Sequence, residues 1–339
     1  MTQTTAPIAP APTGSTRRAR TPGQMTLLIL SRYGTLIGLA LMIILFTARA
    51  PAAFFNLQNF TNILAQGSLT AIIAAGLTMA LVVGEFDLSI GYTASFAGLL
   101  VVGFMALQGL PIWVAVPLML IIGGVIGSVN GLLVTKARIS AVIATLGVGT
   151  VLTGLGFAYS PFPIVTNIPV EFSVISLGRL LPGIPNSIPI MVIVLGILWV
   201  ILNKTNLGIR MQAVGGNQEA ARLSGIRVDR IKIFAFATAG VCAALTGVML
   251  SSLLGSGTLA AADGYLLDAF AAVFLGSATL RDGEFHIVGT LIGVLVISVG
   301  FNGLSIFGAP SWAQQVFSGG ILIIAVGLST LSRRFLKPT

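Results

Sequence analysis

The chain has 339 residues, 55% of them hydrophobic and only 8% charged. Soluble domains are about one quarter charged, so the composition excludes a soluble fold and predicts an all-α polytopic membrane bundle without room for a separate soluble domain. A single cysteine, Cys242, and a single histidine, His286, exclude a disulfide framework and a thiolate or multi-His metal site; the net charge of +9 follows membrane topology rather than nucleic-acid binding.

Residues 1–24 are rich in Thr, Ala and Pro and predict a disordered cytoplasmic tail. The basic residues, the apolar Tyr33–Phe46 and Ala48-Arg49-Ala50 that follow resemble a cleavable signal peptide. Its n-region would be unusually long and Pro51 would follow the cut, so a retained first span is expected. About 20 apolar residues cross a hydrocarbon core. On that measure residues 25–334 predict a transmembrane domain of about ten helices, near 33–48, 62–83, 88–108, 112–134, 140–159, 188–203, 232–254, 265–280, 286–307 and 313–331. Gly109-Leu110-Pro111 and Gly308-Ala309-Pro310 supply turns inside long apolar runs. Placing both termini in the cytoplasm puts sixteen Lys and Arg inside and leaves Arg49 and Arg179 outside.

The most charged stretch is the loop 204–232, with Lys204, Arg210, Arg222, Arg227, Arg230 and Lys232. Within it, Gly215 to Gly225 reads as one short capped helix. Asn217 can accept from the first free N–H groups and Glu219 suits the positive helix end. Arg222 suits the negative end and Gly225 the left-handed stop. So short a helix buries no core of its own, and something outside the bilayer must hold it.

Catalysis needs polar groups gathered at depth, yet the nine acidic residues fall mostly at span ends or in loops. No catalytic, cofactor or metal residues are therefore expected. His286 reads as an end-of-helix histidine. Asp268 is the one reasonable carboxylate for proton coupling, with Asp263 behind it as a turn or cap residue. Asn130-Gly131 and Asn302-Gly303 put amides near span ends, as caps or as solute ligands. Glycines three or four apart, as in Gly123, Gly124, Gly127 and Gly131, allow close helix packing. Gly84-Glu85-Phe86 recurs as Gly283-Glu284-Phe285, a suggestion of internal duplication.

Four ordered blocks resemble the permease subunits of bacterial ATP-binding-cassette importers for ribose, xylose, arabinose and related sugars. They are Gly84-Glu85-Phe86-Asp87-Leu88-Ser89-Ile90-Gly91, then Asn130-Gly131-Leu132-Leu133-Val134 with Ile139 to Gly147, then Ala213 to Ile226, and finally Gly264-Tyr265-Leu266-Leu267-Asp268 through Gly276. Leu266 stands where the family often has Glu, Ser140-Ala141 replace the usual prolines, and Ser277 and Asp282 interrupt the usual glycine pairs.

The resemblance implies a type II importer-like bundle in the bacterial inner membrane. It moves a pentose, hexose or related polyol and works with ABC ATPase subunits, a second permease chain and an external sugar-binding protein. It also implies that Gly216, Asn217, Glu219, Ala220, Arg222, Leu223 and Gly225 form the ATPase-coupling element. Pathway or gate candidates are Thr145, Thr150, Thr153, Asn130, Asp268 and Asn302. The outer loop 160–187 and the Gly255–Gly264 turn are candidate landing sites for the binding protein. ATP hydrolysis itself lies elsewhere, because the chain has no G-x-x-x-x-G-K-[ST] loop. The principal alternative is a stand-alone proton-coupled transporter using Asp268.

Overall fold

The structure, a computed structural model, describes residues 22–280 and 283–336. Most of the tail 1–24, together with Arg281, Asp282 and Lys337, lies outside the described residues. The chain forms α1 (Pro22–Arg49), α2 (Pro51–Phe54), α3 (Leu57–Val82), α4 (Ile90–Ala106), α5 (Ile112–Thr135), α6 (Ala141–Tyr159) and α7 (Val174–Leu177). It continues through α8 (Ser187–Lys204), α9 (Asn206–Gly216), α10 (Gln218–Leu223), α11 (Val228–Leu254), α12 (Asp263–Ser277), α13 (Ile287–Ile306) and α14 (Ser311–Leu336). Extended pairing among the described residues is limited to isolated bridges, Ile164 with Gly257 and Leu181 with Ile184.

The expectation of ten crossings is corrected. Six helices among the described residues are long and apolar enough to cross a membrane: α3, α5, α6, α8, α11 and α13. α4 has 17 residues and α12 only 15. At 1.5 Å per residue they rise about 25 and 22 Å, short of a hydrocarbon core of roughly 30 Å. The apolar part of α1, Tyr33–Arg49, is also short.

Both short central helices have the same cause. Each is entered through non-helical chain, residues 83–89 before α4 and 255–262 before α12. The second of these segments runs inside the bundle along α4. Gly257 packs against Leu99 and Val102, and Ala262 O lies 3.3 Å from where a Cβ on Gly91 would be. From Val102 to Gly91 that is a descent of about 16 Å. The sequence reading left most of both segments between spans but counted the helices after them, near 88–108 and 265–280, as crossings; irregular backbone at this depth survives only inside protein or beside water.

α11 forms the axis of the bundle, with α3, α4 and α5 packed around it. The α5–α11 crossing is made by backbone meeting backbone: a Cβ on Gly127 would overlap Phe236 O, and one on Gly240 would overlap Gly123 O. At the other edge α3 and α13 are tied by a buried bond between the Thr78 and Thr290 hydroxyls, 2.7 Å apart. They are tied again by a reciprocal amide pair between Asn59 and Asn302, at 3.0 and 2.8 Å.

Candidate functional site

At one end of the bundle the charged loop folds as two helices. Thr205 Oγ1 accepts from Gly208 N and starts α9, an element the sequence reading missed. The spacing of Leu207, Met211 and Val214, one face of a helix, was the available signal. A Cβ on Gly215 would overlap Val82 O, so α9 closes directly on the end of α3.

α10 follows at once. Asn217 Oδ1 accepts from Ala220 N at 3.0 Å. Gly225, at φ +81°, turns the chain so that Ile226 N reaches Ala221 O at 3.0 Å. Ala221 alone is buried; Glu219, Ala220, Arg222 and Leu223 face outward, and Leu223 is 85% exposed.

Two charge groups anchor this platform. Asp229, in the first turn of α11, accepts from Lys136 at 2.7 Å and lies 3.9 Å from Arg222. Lys232, 7% exposed, donates to Glu85 in the 83–89 segment and, at 3.0 Å, to Gln218 at the start of α10. The α10 platform is thus wired through one buried cation to the entry of α4. The sequence offered both Glu85 and Lys232, 147 positions apart, with nothing to pair them.

Beyond Glu85 lies a buried polar knot. Asp87 Oδ1 accepts from Ser89 N at 2.9 Å and Ser89 Oγ at 2.6 Å. Asn130 donates to Ser89 Oγ at 2.8 Å, and Leu88 N donates to Thr145 Oγ1 at 3.1 Å. Asp87 Oδ2 and Asn130 Oδ1 are buried without partners among the described residues. Burial pushes the Asp87 carboxyl up to about 6, against the opposing pull of its Ser89 bonds.

The Gly-Glu-Phe echoes meet on α12. Phe86 stacks on Phe270 and Phe274, at 6.2 and 6.4 Å, and Phe285 stands edge-on to Phe274 at 5.6 Å. Both glycines take positive φ, +84° at Gly84 and +91° at Gly283. His286 caps α13: its Nδ1 accepts from Gly289 N at 2.8 Å, which leaves the proton on Nε2, directed at Thr279 O at 2.9 Å.

The remaining pathway candidates separate. Asn130, Thr145 and Asn302 are buried within side-chain networks. Asp268 accepts from Ser318 of α14. Thr150 is exposed and donates to Leu146 O. Thr153 lines a cleft between α4, α6 and the start of α12. Asp263 does not cap α12; its Oδ1 accepts from Ser95 Oγ at 3.1 Å.

An all-helical membrane bundle with an outward-facing short helix locked to its inner packing is the architecture of a transport-path subunit. Residues 59–326 match the family described as branched-chain amino acid transport system / permease component, and the chain belongs to this family of ABC-importer permeases. Such permeases form the path and are not themselves enzymes. The chain is 39% identical over 299 residues to the ribose import permease protein RbsC of Bacillus subtilis, covering 88% of this chain and 92% of that one. It is 38% identical over 277 residues to RbsC of Haemophilus influenzae, covering 80% and 85%. It is 31% identical over 300 residues to the D-allose transport system permease protein AlsC of Escherichia coli, covering 88% and 92%. No solved structure matches.

Proposed function

We infer that this chain is the membrane permease of an ATP-driven sugar importer, with a monosaccharide of the ribose or allose kind as its solute. It sits in the bacterial inner membrane with both termini cytoplasmic and works with a second permease chain, separate ATPase subunits and an external sugar-binding protein. Similarity to the ribose and allose permeases supports the solute class, and the inside excess of Lys and Arg supports the orientation. Gly216, Asn217 and Gly225 shape the coupling element, and Glu219, Ala220, Arg222 and Leu223 present it to the ATPase. The 255–264 segment turns into the bundle, so loop 160–187, with Phe162, Val170 and Leu180 exposed, is the larger surface for the binding protein.

The observation that carries this reading is α10: six residues, capped at both ends, with Leu223 bare and Lys232 beneath it. An 85% exposed leucine on so short a helix is explained by a partner groove, as an anchor side chain at an interface. In proteoliposomes holding the chain, its ATPase subunits and the binding protein, Leu223→Asp or Arg222→Glu abolishes ATP-driven ribose uptake and releases the ATPase on purification. Leu223→Asp retains the unfolding temperature of the parent, because that side chain is exposed and makes no anchoring contact. Uptake that persists with normal ATPase retention would refute the coupling role. Ribose uptake driven by a pH gradient without ATP would refute the importer.

A further inference from the structure

The cleft that Thr153 lines is built from three elements. Tyr92 and Phe96 come from α4, Thr153 and Phe157 from α6, and Ala260 and Asp263 from the segment that enters α12. Gly149 and Gly156 on α6 let two of its walls, Tyr92 and Leu259, pack close against that helix. A Cβ on Gly149 would stand 2.5 Å from the Tyr92 ring, and one on Gly156 would overlap the Leu259 side chain. With Thr153 they lie at i, i+4 and i+7, so one face of α6 is devoted to the cleft.

Depth gives the cleft its meaning. Thr153 lies about 18 Å along a helix of about 28 Å, and α12 begins beside the first turn of α4, against Gly91. Asp263 is therefore well inside the bundle's span, yet it is exposed. A carboxylate at such depth faces a water-filled path rather than lipid. Ser95, which also accepts from Ala262 N at 3.0 Å, holds one of its oxygens, and Asp263 itself lines the cleft.

We propose that this cleft is a transient binding site for a neutral polyhydroxylated ring, a monosaccharide, on its way through the permease. This deepens the importer reading and rests on it. The Asp263 carboxylate accepts from ring hydroxyls, the Thr153 hydroxyl, which donates to Gly149 O at 3.1 Å, keeps its oxygen free to accept, and the Tyr92, Phe96 and Phe157 rings take the apolar face of the sugar. This is the usual economy of a small-molecule site, apolar walls with a few placed polar groups. No Lys, Arg or His lines the cleft, so an amino acid's carboxylate has no counterpart there. Broken helices meeting inside the bundle are also where transporters hold their solutes.

The test uses the complete complex in proteoliposomes. Ala260→Cys adds one accessible thiol, since native Cys242 is buried. A membrane-impermeant maleimide modifies it, and D-ribose at ten times its dissociation constant slows modification about tenfold; L-leucine does not. No modification, or equal slowing by both solutes, overturns the proposal. In a second arm, Asp263→Asn keeps the acceptor for Ser95 but loses the charge. Ribose moved per ATP hydrolysed then falls about tenfold, while ATPase stimulation by the binding protein is unchanged. Normal coupling in this variant overturns the site and leaves the importer standing. A parent complex without ATP-driven uptake fails the importer reading itself.

Discussion

Asp87 is held by two bonds from Ser89 on one oxygen and, among the described residues, by nothing on the other. Its carboxyl is raised from the ordinary 3.8 to about 6, so the folded protein binds that proton more tightly than the unfolded chain. Stability is then greatest below the unfolded value, falls as pH rises from about 4 to about 6, and is flat beyond; the full cost is about 3 kcal/mol. Asp87→Asn keeps an acceptor for Ser89 and carries no charge. Its melting temperature in detergent exceeds the parent's by a margin that grows through that window and then levels. A margin independent of pH would refute the burial argument. The sequence presented Asp87 and Asn130 in separate blocks, and only the fold placed Ser89 between them. His286 was legible as a helix-end residue because capping is local chemistry; its bond to Thr279 O was not.

Among elements, the α5–α11 crossing depends on missing side chains. Gly127→Ala drives a methyl into the Phe236 carbonyl, and Gly240→Ala does the same at Gly123. Each variant loses about 1–3 kcal/mol, seen as a lower melting temperature in detergent. Gly154 on α6 has nothing near its missing Cβ, so Gly154→Ala is neutral or slightly stabilising, by at most about 1 kcal/mol. Equal effects at the two kinds of site would show that close approach is not what the crossing requires. The spacing of Gly123, Gly127 and Gly131 was readable as a packing face; that its partner is α11 was not, because a small-residue pattern fits any neighbour.

At the scale of the whole molecule, Lys232 joins three segments: Glu85 before α4, Gln218 at the start of α10, and the beginning of α11 itself. Breaking such a pair from one side strands a charge in protein, at about 3–5 kcal/mol. Lys232→Met and Glu85→Gln each lower the melting temperature and ATP-driven uptake. The exchange Lys232→Glu with Glu85→Lys recovers most of both, since the pair is restored with its polarity reversed. An exchange no better than the single variants would mean the contact does not link the platform to α4.

The sequence by itself determined the membrane class and the short capped helix, because composition and capping act over a few residues. The tertiary structure decided that, among the described residues, about six helices, not ten, are long and apolar enough to cross. Hydropathy records that a segment is buried and cannot tell lipid from protein as the burying medium. The chain at 83–89 and 255–262 is sheltered by α4, α5, α6 and α11, so it can leave the helix inside the bundle. The buried lysine, the polar knot and the Asp263 cleft come from the same cause, since each is assembled from segments that meet only when those interrupted helices pack.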